Sequence, residues 1–70
     1  MTADEFMRKV KRFGRKAGKR VRYDSRRGAG SHGRLHFGDR FTTIIDPRHE
    51  VGPGLLRKMC RDLGIDMKDL

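Results

Sequence analysis

Gly28-Ala29-Gly30-Ser31-His32-Gly33-Arg34-Leu35-His36-Phe37-Gly38-Asp39-Arg40-Phe41-Thr42-Thr43-Ile44-Ile45 reads as a small glycine loop feeding a β-hairpin. From His32 the residues alternate. His32, Arg34 and His36 fall on one face and Gly33, Leu35 and Phe37 on the other, the period of a half-buried strand. Gly38-Asp39 is a two-residue turn, because glycine at the first central position supplies the positive φ that a primed hairpin turn needs. Phe41 to Ile45 returns as a β-branched, aromatic strand, and Asp46-Pro47 ends it by removing a ladder donor. The register depends on the turn. A three-residue turn in place of a two-residue one would swap Phe41, Thr43 and Ile45 with Thr42 and Ile44 between the two faces.

N-terminal to this hairpin, Thr2 with Glu5 three residues on has the pattern of a capping box, and Asp4 adds negative charge to the first turn. Phe6, Val10, Phe13 and Ala17 lie within roughly 60° of one another on a helical wheel, while Arg8, Lys11, Arg12 and Arg15 point the opposite way. That spacing predicts an amphipathic helix with a basic outer face, weakened at Gly14 and stopped at Gly18. Lys19 to Asp24 reads as a strand, with Val21 and Tyr23 on one face and Arg20, Arg22 and Asp24 on the other. Ser25 to Ser31 reads as a cationic loop.

C-terminal to the hairpin, Arg48 to Gly52 is a connection and Pro53 suits the first position of a second helix. Leu55, Leu56, Met59, Cys60 and Leu63 form its apolar stripe, and Gly64 is its stop signal. Ile65 is placed to pack back on the helix end, and Asp66 to Leu70 to add a short turn. Met7, Met59 and Cys60 read as core positions. The order is helix, three strands, helix: a small α+β fold, α-β-β-β-α. Hairpin-linked neighbours predict a three-stranded antiparallel sheet, and two single-striped helices predict that both cover one of its faces. The other face, with Arg20, Arg22, His32, Arg34 and His36, is left to solvent.

Seventy residues make a single domain, 1–70, with room for one small core. Cys60 is the one cysteine, so no intramolecular disulfide forms, which fits a reducing compartment. With no apolar run for a membrane span or a secretion signal, a cytoplasmic protein without membrane attachment is expected. The net charge of +9 is unevenly placed. Residues 8–27 hold eleven cations against Asp24, leaving −1 for the other fifty. An excess confined to one segment points to a polyanion, with nucleic acid the commonest, over a merely solvated or membrane-facing basic patch.

Several of these features coincide with a known family. Gly30-Ser31-His32, a strand, a tight turn, a second strand ending in Asp46-Pro47-Arg48-His49, then Gly52-Pro53-Gly54-Leu55-Leu56-Arg57-Lys58 and Asp62-Leu63-Gly64-Ile65 together resemble the HicA toxins, RNA-cleaving partners in HicA/HicB toxin–antitoxin systems. The resemblance covers residues 28–70 well and the first helix loosely. It implies a fold like the double-stranded-RNA-binding domain and a catalytic histidine, His32. It also implies an mRNA-cleaving activity and a HicB-like antitoxin that covers the active site. Gly33 departs from the family pattern, which often has a second histidine or a bulky side chain there, and the segment before the triplet is longer and more basic.

The chemistry is consistent on its own. RNA carries its nucleophile, the 2′-hydroxyl, so cleavage needs a base for that proton and cations for the crowded phosphate, with no metal or other cofactor obligatory. An imidazole, titrating in water at about 6.5, accepts a proton at neutral pH. His32 is the expected base; His36 and His49 are both open as the acid for the leaving 5′ oxygen. Gly28 and Gly30 allow close backbone approach to a phosphate, Arg26, Arg27 and Arg34 supply charge, and Ser31 and His36 are further RNA contacts. A shared zinc is not expected, since His32 and His36 stand about 13 Å apart along a strand. The alternative is a non-catalytic RNA-binding module of the same fold. A ribosome-associated or DNA-binding basic protein is a third reading.

Overall fold

The helix starts where its cap places it. In the structure, a computed structural model describing residues 1–25 and 32–70, Thr2 and Glu5 form a reciprocal capping box at the head of helix α1 (Ala3–Ala17). The first two helical amides have no partner within the helix. They donate instead to a later loop, Ala3 N to the His49 carbonyl at 2.9 Å and Asp4 N to that of Pro47 at 2.7 Å. An isolated antiparallel bridge between Thr2 and Glu50 fixes the same junction, a long-range tie that no local pattern announces.

Three strands follow, β1 (Val21–Asp24), β2 (Gly33–Phe37) and β3 (Arg40–Ile44), in one antiparallel sheet of order β1-β2-β3. Each departs slightly from the sequence reading. β1 starts at Val21 because the Lys19 amide is still occupied by the Gly14 carbonyl at the end of α1. β2 starts at Gly33, one residue after His32. β3 ends at Ile44, and the Asp46 carboxylate then accepts the Arg48 amide at 2.9 Å, starting a turn in place of a ladder. The cationic loop expected over 25–31, including Arg26, Arg27, Gly28, Gly30 and Ser31, lies outside the described residues except for exposed Ser25.

The hairpin register is the two-residue one, with Phe37 opposite Arg40. Gly38 takes φ 63° and Asp39 keeps a negative φ, the signs of a type II′ turn. Parity therefore sends Leu35, Phe37, Thr42 and Ile44 to one face, where all four are buried. α1 and helix α2 (Pro53–Leu63) both pack there: Phe6, Met7, Val10, Met59, Cys60 and Leu63 join these strand residues in one core, closed by Val51 and Ile65. Phe13 lies nearly parallel to Phe37, ring centroids 5.9 Å apart. Ala17, expected in the stripe, is exposed, being the last helical residue before Gly18 turns the chain away at φ 70°. A short 3₁₀-helix (Met67–Asp69) follows α2.

Gly14, read as a weak point of α1, is buried and sits where helix meets sheet. A Cβ on it would lie 2.5 Å from Val21 Cγ2 and 3.1 Å from the Lys19 carbonyl oxygen. The missing side chain is what lets α1 approach β1.

Candidate nucleic-acid interface

Among the described residues no element covers the sheet face opposite the helices, which is built from two cross-strand rows. Arg22 stands opposite His36 and His36 opposite Phe41. In the next row Asp24 pairs with Arg34 and Arg34 with Thr43. Arg22 and Arg34 thus lie where their strand parity predicts, with His36 beside them; Arg20 is exposed but precedes β1, and its carbonyl accepts the Gly38 amide. Arg22 Nη1 stands 3.8 Å from Asp24 Oδ2.

Phe41 is the residue that the sequence reading did not assign to this site. It is 43% exposed in the middle of the polar face. The Arg34 guanidinium carbon lies 4.5 Å from its ring centroid, and the His36 ring lies 5.8 Å from it, tilted by 41°. The first contact is diagonal across the ladder and the second directly opposite, the two geometries in which cross-strand side chains meet. The signal was present in the turn: once Gly38-Asp39 is fixed as two residues, Phe41 must share the face of His36.

His32 is exposed, enters β2 one residue before Gly33, and makes no side-chain hydrogen bond with another described residue. Gly33 itself is buried. A Cβ there would lie 2.7 Å from the Tyr23 hydroxyl and 2.8 Å from the Asp24 carbonyl oxygen, so the glycine leaves the covered face to the Tyr23 ring. Of the two candidate acids, His36 is four residues along β2, about 13 Å away at strand spacing. His49 follows β3 at the end of the sheet where β2 begins, in a small cleft with Ala3, Ile45, Asp46 and Leu55. The structure therefore separates His36 from His32 along the strand and brings His49 to the same end.

The cations that are adjacent in sequence divide in space. Arg8, Lys9, Lys11, Arg12, Arg15 and Lys16 are all exposed on α1, in the helical layer behind the sheet, where Arg8 pairs with Asp4 at 3.4 Å. Arg22 and Arg34 belong to the open face. Arg40, next to the turn, is committed to the fold: Nε donates to the Asp62 carbonyl at 2.9 Å and Nη2 to that of Arg61 at 3.1 Å, occupying carbonyls at the end of α2. Among the described residues no group of three or more His, Cys, Asp or Glu side chains is arranged to hold a metal ion, and no helix is long and apolar enough to cross a membrane. Compared with known proteins, the chain matches no family model, no curated protein and no solved structure.

Proposed function

We propose that this chain is an endoribonuclease that cleaves mRNA without a metal, the toxin of a HicA/HicB-type pair, with His32 as general base. The observation that carries the reading is the position of His32. It is a solvent-exposed imidazole, uncommitted to any described side chain, at the entry to a strand whose outward face bears Arg34, set against the exposed Phe41 ring of the neighbouring strand. His32 takes the proton of a ribose 2′-hydroxyl; that oxygen attacks the adjacent phosphorus, and the 5′ oxygen leaves with a proton from an acid. The products are a 2′,3′-cyclic phosphate and a 5′-hydroxyl. A positioned base supplies about 10² to 10⁴-fold, and nearby guanidinium groups stabilise the charge that builds on the phosphate. Arg26, Arg27, Gly28, Gly30 and Ser31 keep their proposed role as phosphate contacts on the chemistry of their residue types, guanidinium charge, close backbone approach at glycine and a hydroxyl. A HicB-like antitoxin would silence the protein by covering the same face, its surface complementary in charge.

The test is incubation of the purified protein with single-stranded RNA in EDTA, with mass spectrometry of the product ends. Shortened RNA ending in cyclic phosphate is expected, and an oligonucleotide methylated at every 2′-oxygen should stay intact. Equal cutting of the methylated strand would overturn the mechanism. Binding of RNA with no shortening would leave the non-catalytic RNA-binding module, which the Arg34–Phe41 pair and the cations of α1 equally support.

A further inference from the structure

The open face holds a feature that acid–base cleavage does not require. Phe41 is a large apolar side chain, 43% exposed, on an edge strand of a chain in which 39% of residues are charged. Exposed apolar side chains on an edge strand invite unwanted pairing. Its two neighbours on that face are not aliphatic. They are the guanidinium of Arg34 at 4.5 Å and the imidazole of His36 at 5.8 Å, so three planar π systems are gathered on one patch, with Arg22 in the same cross-strand row as His36. Planar aromatic and guanidinium groups on an open sheet are the surface on which proteins stack splayed nucleobases.

We infer that Arg34, Phe41 and His36 form a stacking platform for an unpaired base of single-stranded RNA, an inference that rests on the RNA-binding side of the proposed function. Phe41 stands opposite His36, four residues and about 13 Å along the strand from His32, so the stacked base lies further along the RNA than the linkage presented to His32 and fixes the path of the strand leading to it. Two consequences follow for the substrate. It must be single-stranded beside the cut, because a paired base cannot leave its own stack for the platform. The selection is also broad, since every base offers a π face. Charge favours RNA as the occupant: the ring is flanked by Arg34 and shares its face with Arg22, a field that attracts a polyanion.

The test uses the full-length protein and a single-stranded 12-mer carrying 2′-O-methyl groups, which binds without being cut, with 2-aminopurine placed at each position in turn. Wild-type protein should quench the fluorescence at one or two adjacent positions. Phe41→Leu, which keeps an apolar side chain but removes the π face, should abolish the quenching and weaken binding about 10-fold or more. Phe41→Trp should restore both, with all three proteins melting within a few degrees of one another. Absence of quenching at every position in the wild type overturns the platform, whatever the variants do. So does a Phe41→Leu protein that binds and quenches like wild type, or one that loses self-association or antitoxin binding while its RNA affinity stays unchanged. Cleavage is scored separately on unmodified RNA. Quenching without cleavage removes the nuclease and leaves the platform; cleavage without quenching does the reverse.

Discussion

Gly14 and Gly33 occupy close approaches, and each carries a consequence for stability. In an exposed helix, alanine for glycine gains up to about 1 kcal/mol. At Gly14 the added Cβ would meet Val21 Cγ2 at 2.5 Å, and a β-branched valine has little rotamer freedom with which to move. Gly14→Ala is therefore expected to destabilise by about 1–3 kcal/mol, with part of the loss recovered in a Gly14→Ala/Val21→Ala double variant; urea unfolding of the three proteins measures it. At Gly33 the obstruction includes the Asp24 carbonyl at 2.8 Å, which cannot move without the strand. Both glycines read in the sequence as plain features, a weak helical position and a departure from a family pattern. Their reason is tertiary, a neighbour distant in the chain, and so it was not legible there. Cys60, by contrast, was legible from its place on an apolar stripe: it is 2% exposed, and burial pushes its thiol pKa upward.

At the scale of elements, α2 is tied to β3 by the Arg40 bonds to its last carbonyls and by one carboxylate. Asp62 Oδ2 accepts from Lys58 Nζ at 2.7 Å and from the buried Thr42 hydroxyl at 2.8 Å. The Lys58 hydrogen bond foremost, with the Thr42 hydroxyl assisting, holds the Asp62 pKa below its ordinary value of 3.8. A carboxyl whose pKa is depressed by folding binds its proton more weakly folded than unfolded. Its stabilisation is thus present above the unfolded value and lost as pH falls through the folded one. Asp62→Ala should cost about 1–3 kcal/mol at pH 7 by leaving the Thr42 hydroxyl unpaired. The gap to wild type should narrow as pH drops below about 4, as thermal melts across pH 3–7 would register; a gap independent of pH would contradict the assignment. The elements themselves were legible because their ends are marked locally, by Thr2 with Glu5, by Gly38 and by Pro53. The Asp62 tie and the docking of α1 onto the Pro47–His49 carbonyls were not, since each joins residues more than about a helix length apart.

Across the whole molecule, charge is split between the helical layer and the open sheet face. The net +9 was legible, but its division was not, because which way a cation points follows from where the helices settle. If α1 guides RNA toward the open face through phosphate contacts, each contact adds about −0.7 to the slope of log affinity against log salt for a single strand. Replacing Lys11, Arg12 and Arg15 together with glutamine should make that slope shallower by about 2. Stability should stay within about 0.5 kcal/mol for each exposed site changed. A titration series from low to moderate salt measures it, and an unchanged slope would confine RNA to the sheet face.

The central claim is that His32 performs the chemistry, and the most direct measurement is the single-turnover rate of RNA cleavage in EDTA by wild type and by His32→Ala, with circular dichroism showing both folded. Because His32 is exposed and bonded to no described side chain, the variant should fold normally, and its cleavage rate should fall by at least about 100-fold. A folded His32→Ala protein that cuts RNA at the wild-type rate would contradict the account.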